Sequence, residues 1–288
     1  MTGRGLAAAL LAPVVTVVVV AVGCTTGAPQ AEHTRSAAAT ASPRPSPSPS
    51  VAPSPPPAPA AGSCHRLSFA AATSPTDSRA PVPCRERHTS VTAAVGHFDP
   101  VQDGHLVTVD SRSVQQQIAD RCPRTLAGLV GGSRADRRLS RFIVVWFSPT
   151  EAQAAAGARW YRCDVVALAA HHRLATLPAH LKGALDRRNG LDRYGTCGTS
   201  APDARNFRRV ICSQRHRWRA VSVVNLPRGA HFHSRSAGSF ANSRCKQVAA
   251  DAAHGALKYS WAFEWPTREH WVSGQRYGFC WLPTRRTG

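Results

Sequence analysis

Nine cysteines and thirteen histidines are the side chains of this 288-residue chain that most invite chemistry. Thiolates and imidazoles become nucleophiles, acid–base pairs or metal ligands when the chain brings them together. The spacings here argue for something else. There is no C-x-x-C, so zinc ribbons and thioredoxin-like redox chemistry are not expected. A histidine follows a cysteine at the same distance twice, in Cys84-x-x-Arg87-His88 and Cys212-x-x-Arg215-His216. A Cys–His nucleophile would need a free thiolate, and cysteines paired as disulfides have none. The plainer expectation is that His88 and His216 hydrogen-bond backbone beside a disulfide. His171-His172 and His231-x-His233 lack a cysteine or carboxylate at ligand spacing, so no metal and no cofactor is expected. Nucleophile elbow, P-loop and dinucleotide fingerprints are absent. Glutamates are sparse, with Glu264 and Glu269 alone in the last third. A wall hydrolase needs an acid and a base or a metal-bound water. The expectation is therefore a non-enzyme, with a cell-wall-modifying hydrolase as the alternative.

Charge suggests binding instead. Lys and Arg number 36 against 16 Asp and Glu, a formal net charge of +20. Such an excess attracts phosphate-rich polymers and anionic lipid surfaces. Its densest strip is Arg208-Arg209 followed by Arg215, Arg217, Trp218 and Arg219, the candidate polyanion contact. Trp265, Trp271 and Trp281 are candidates for stacking on sugar rings, with core packing as the plainer role. No recognition helix or RNA-binding motif accompanies the charge, so nucleic acid is not expected as a partner.

The N-terminus sets the compartment. Arg4 precedes an apolar stretch from Leu6 to Val22, and Ala21-Val22-Gly23-Cys24 follows, in the manner of a secretory signal. The cysteine after small residues resembles a bacterial lipobox, with Ala21 where leucine is usual. That implies residues 1–23 as signal peptide, Cys24 as lipid attachment site, and a place on the extracytoplasmic face of the cell membrane. An uncleaved anchor or plain secretion is the other reading. Residues 24–62 are rich in Ala, Ser and Pro, with proline at nearly every second position from Pro43 to Pro59. Such a segment favours extended polyproline II at about 3.1 Å per residue, a disordered stalk with a reach on the order of 100 Å.

Behind the stalk an internal repeat organises the other eight cysteines. Residues 141–163 (RFIVVWFSPTEAQAAAGARWYRC) align without a gap on residues 258–280 (KYSWAFEWPTREHWVSGQRYGFC). Pro149-Thr150 falls on Pro266-Thr267, Gly157 on Gly274 and Cys163 on Cys280. The Cys-x-x-Arg-His segments match upstream, and each half carries four cysteines in the same order. This predicts an α+β chain of two tandem, homologous modules, residues 63–168 and 196–288, joined by a connector over 169–195. Period-two alternation predicts strands at Phe142, Val144 and Trp146, at Tyr259, Trp261 and Phe263, and at Tyr161, Cys163 and Val165. Thr150-x-x-Gln153 predicts a capping box opening a short helix that Gly157 closes. Val114, Ile118 and Cys122, like Ala241, Cys245 and Ala249, are spaced for one longer helix per module. Keeping bonds within modules predicts Cys64–Cys84, Cys122–Cys163, Cys197–Cys212 and Cys245–Cys280, each contributing about 3 kcal/mol in the chain-entropy model.

The block Trp265-Pro266-Thr267, Trp271, Gly274, Arg276 and Cys280-Trp281, with Cys212 and His216 upstream, resembles the actinobacterial septum-formation domain. The resemblance runs over residues 62–288 and is weaker in the first half, where Ala154 and Asp164 stand in place of two of the tryptophans. It implies a lipid- or membrane-anchored envelope protein associated with septum formation during cell division. The expected partners are the membrane, through Cys24, and an anionic cell-wall polymer or a cell-division protein.

Overall fold

The computed structural model describes residues 54–284; the signal segment, Cys24 and most of the proline-rich segment lie outside the described residues. Alternating strands of the first half form an antiparallel sheet. Its elements run β1 (Cys64–His65), α1 (Phe69–Ala72), β2 (Ser90–His97), the small hairpin β3 (Val101–Gln102) and β4 (His105–Leu106), α2 (Arg112–Arg121), α3 (Thr125–Val130), α4 (Arg134–Leu139), β5 (Phe142–Phe147), α5 (Glu151–Ala155), β6 (Trp160–Ala170) and β7 (Arg173–Leu174). The sheet order is β1-β2-β6-β5, with β7 beside β6. The second half continues with α6 (Gly190–Tyr194), β8 (Thr196–Gly198), β9 (Arg209–Ile211), β10 (Trp218–Asn225), α7 (Arg235–Ala252), β11 (Ala262–Glu264), α8 (Arg268–Val272) and β12 (Tyr277–Pro283). Its order is β11-β12-β10-β8-β9, so β8, β10, β12 and β11 stand as β1, β2, β6 and β5 do.

The correspondence extends to details. The ladder shifts by a bulge between Thr92 and Ala94 in one sheet and between Ala220 and Ser222 in the other. Thr150 caps α5 through a complete capping box, and the Thr267 side chain accepts from the His270 N–H at the start of α8. Gly157 and Gly274 end those helices at the same φ of 97°, a left-handed conformation that glycine adopts without a Cβ clash.

Four disulfides fix the elements: Cys64–Cys84, Cys122–Cys163, Cys197–Cys212 and Cys245–Cys280. These are the pairs expected from keeping loops short. Cys122 and Cys245 each tie a helix to the central strand of their sheet, β6 or β12. One face of each sheet is buried this way. Val114, Ile118 and Cys122 pack with Tyr161 and Cys163, and Ala237, Ala241 and Cys245 pack with Val224 and Cys280.

One longer helix per half holds in both: α2 has 10 residues, and the 18 residues of α7 bury Ala237, Ala241, Cys245 and Ala249. The difference lies at Cys122. In the first half, helix α2 ends at Arg121 and a 3-10 turn over Cys122–Arg124 follows. Pro123 sits there; it has no N–H to donate and its ring collides with the preceding turn, so the α-helix breaks. Residues 169–195 contribute to the core. Leu177, Leu181, Ala184, Leu185 and Tyr194 are buried in one cluster with Val130, Phe142 and Ile211. The halves touch elsewhere too: Leu139 at the end of α4 packs with Ala220 and Trp281.

Candidate functional site

The expected arginine strip divides once folded. Successive strand residues point to opposite faces, so neighbours in sequence part company. Arg209 on β9 turns onto the Glu264 carboxylate of β11, and Arg219 on β10 pairs with Asp192 of α6 at 2.6 Å. Trp218 is half-buried. Arg208, Arg215 and Arg217 remain exposed, and among the described residues they form no ion pair. Near Arg209, burial and that neighbouring charge push the Arg141 guanidinium down to about 10. The strip is thus three free cations on the β8–β9 edge and adjoining loop, backed by two arginines whose charge is already answered.

His88 and His216 occupy equivalent places. Each ring presents Nδ1 to the carbonyl two residues earlier, Glu86 at 2.8 Å and Gln214 at 2.7 Å. His88 is fully buried and His216 half-buried. The bond pins the turn after Cys84 and after Cys212, a structural use of the ring. His171 and His172 stack on each other, and His233 stacks on Trp265. Among the described residues no three His, Cys, Asp or Glu side chains stand where they could share a metal ion. No described helix is long and apolar enough to cross a membrane.

The three tryptophans split as well. Trp281 is completely buried, its Nε1 donating to Glu264 at 3.0 Å and its ring meeting Phe207 edge-on, so it is a core residue and not a stacking platform. Trp265 and Trp271 are half-buried and lie on the α7 side with Phe232; the Arg276 guanidinium covers Trp271 and that of Arg268 covers Phe232. Arg276 is held there by bonds to the Trp271 and Gln275 carbonyls; Arg159 repeats the arrangement with Ala154 and Ala158.

A cluster that spacing did not reveal fills the opposite face of the first sheet. Arg162 on β6 is 2% exposed and lies between two carboxylates, Nη2 2.9 Å from Asp77 and Nε 3.0 Å from Asp164. Ser90 and Thr92 donate to Asp164 at 2.6 and 2.9 Å, and His65 Nε2 lies 3.3 Å from the Thr92 hydroxyl. Burial pulls the His65 ring below its usual value, aided by the Arg162 charge. Burial also pushes on Asp77, but the hydrogen bond and charge of Arg162 outweigh it and hold that carboxyl low. Arg79 pairs with Asp77 from the surface at 2.9 Å, so two arginines answer the two carboxylates; the buried members are too deeply enclosed to meet a substrate and act as a neutralised polar core. Asp77 is distant in sequence from β6, so only the interruption of an apolar strand by Arg162 and Asp164 could have signalled it.

These features define a disulfide-stapled α+β protein with antiparallel sheets. The sequence model of the septum-formation family ("Septum formation") matches residues 61–280. The chain belongs to that family, which points to a role in cell division. No curated protein and no solved structure matches it.

Proposed function

We propose that this protein is a lipid-anchored extracytoplasmic member of the septum-formation family that binds an anionic cell-wall polymer without catalysing a reaction. The observation that carries the reading is the set of exposed cations Arg208, Arg215 and Arg217, unpaired among the described residues, on a disulfide-fixed edge. Disulfides of this density suit an oxidising compartment. The basic start, apolar run and Cys24 supply the export signal and tether, and the proline-rich segment would carry the domain away from the bilayer. The shared strand order, bulge, caps and histidine bonds support two tandem copies of one module, each closed by its own pair of bridges.

The test uses the mature chain from Cys24 and poly(glycerol phosphate) as probe. Binding should weaken steeply with salt, and replacing Arg208, Arg215 and Arg217 together with Gln should remove most of it. Binding indifferent to both would overturn the polymer reading. A cleared band in a peptidoglycan zymogram would overturn the non-catalytic one. In cells, Cys24→Ala should release the protein from the membrane and from the division site; unchanged localisation would remove the anchor from the mechanism.

A further inference from the structure

Helix α7 forms one wall of a trough whose other wall is the segment around Tyr259 and Trp261 together with Leu282 and Pro283 at the end of β12. Two open cavities of about 750 and 520 Å³ lie along the helix and have Lys246 and Trp261 in common. The α7 wall presents Ser239, Asn242, Ser243 and Lys246. Their spacing of three, four and seven puts them on one stripe, spread over about 10 Å of helix. Facing them, Trp261 is half-buried. Among the described residues its indole N–H has no protein partner, unlike those of Trp146 and Trp281, which are hydrogen-bonded.

The charge of the trough is one-sided. Among the described residues Arg235, Lys246 and Lys258 line it and no carboxylate does. Lysine is rare in this chain, at positions 182, 246 and 258, and two of the three are here. The groove between α7 and β10 on the other side of the helix differs, because Arg244 there is joined by Asp251. A flat aromatic face, a row of short hydrogen-bonding side chains and uncompensated cations are complementary to a chain of sugar rings that carries acidic groups. A bare polyphosphate would use the cations and leave the tryptophan idle; a neutral glycan would do the reverse.

We infer that the α7 trough is a binding site for an acidic glycan, with a pyranose ring on Trp261, hydroxyls on Ser239, Asn242 and Ser243, and an acidic substituent at Lys246. The inference rests on the proposed binding of an anionic wall polymer and names a second contact, apart from Arg208, Arg215 and Arg217, and the polymer class it takes. The mature chain would be titrated with hexagalacturonate, chitohexaose and inorganic polyphosphate, following tryptophan fluorescence and calorimetric heat. Hexagalacturonate should bind; Trp261→Ala should weaken it about tenfold and Lys246→Gln about threefold. Trp261→Phe, which keeps a stacking face, should restore most of the binding, separating lost recognition from a disturbed fold. Equal affinity of Trp261→Ala and the parent chain would overturn the site. Chitohexaose binding as tightly as hexagalacturonate would overturn its acidic character, and polyphosphate binding with the same Trp261 dependence would overturn its sugar class. The Arg208, Arg215 and Arg217 triple variant reads the other proposal alone: it should leave hexagalacturonate affinity unchanged while polyphosphate binding falls.

Discussion

At matching positions of the two sheets stand opposite solutions to one packing problem. In the first sheet Asp164 of β6 faces Thr92 of β2, and in the second Trp281 of β12 faces Ala220 of β10. The Asp164 site is ionic, with Arg162, Asp77, Ser90 and Thr92 gathered about one buried carboxylate. The Trp281 site is largely apolar, with Leu139, Ala220 and Phe207 against a large ring whose indole N–H donates to Glu264. His65 of the first has Gly198 as its counterpart in the second. The same strand frame, pinned by the same bulge and the same helix-to-strand disulfide, thus tolerates either chemistry on its second face. The ionic version demands that all its members be present, since a buried charge stripped of its partner is costly. The largely apolar version demands volume and one acceptor for the buried indole N–H.

The largest expected effects come from emptying those two positions. Trp281→Ala should cost about 3–5 kcal/mol by leaving a cavity. Asp164→Ala should cost a similar 3–5 kcal/mol for another reason, because Arg162 keeps a single buried partner. Chemical denaturation measures both. A loss below about 1 kcal/mol for Asp164→Ala would show that the cluster is not the closed network its geometry describes.

A smaller effect separates the halves by pH. His65 is held below its usual 6.5, so the unfolded chain binds a proton there more readily than the folded one. Its contribution is complete above that value and is lost as pH falls below it. Asp77 is held below 3.8, so its contribution is present above that value and disappears on further acidification. Hydrogen exchange at β2 and β6 should therefore accelerate on acidification, relative to the pH trend of β10 and β12. His65→Asn should flatten the part between pH 7 and 5. Parallel trends in the two sheets would break the comparison.

The smallest contrast lies at the short helices. Replacing Thr150 and Gln153 together with Ala removes both bonds of the capping box, the Gln153 N–H to the Thr150 hydroxyl and the Thr150 N–H to Gln153 Oε1, whereas Thr267→Ala removes the cap bond alone. The first should cost about 1 kcal/mol and the second less, read from thermal unfolding of the two variants. The reverse order would show that α8 relies on its cap more than α5 does.

Much of the frame was legible in sequence because it is local or repeated. Period-two runs marked β5 and β6, and Val114, Ile118 and Cys122 at helical spacing marked the face of α2. The duplicate cysteine order marked the disulfides. The break at Cys122 follows from Pro123, where the second half has Lys246 and its helix continues. What was lost had long-range causes. Nothing near Arg209 or Arg219 in sequence announces Glu264 or Asp192, so the arginine strip looked uniform when it is not.

The sequence by itself determined the α+β character, the pairing of the eight cysteines and the family, because each rests on spacing that survives without coordinates. Only tertiary structure decided which tryptophan is core, which arginines stay free, and that Asp77, Arg162 and Asp164 meet in the interior. Those outcomes depend on residues far apart in the chain that share a face after the sheets close, and no periodicity encodes which distant partner a side chain will find.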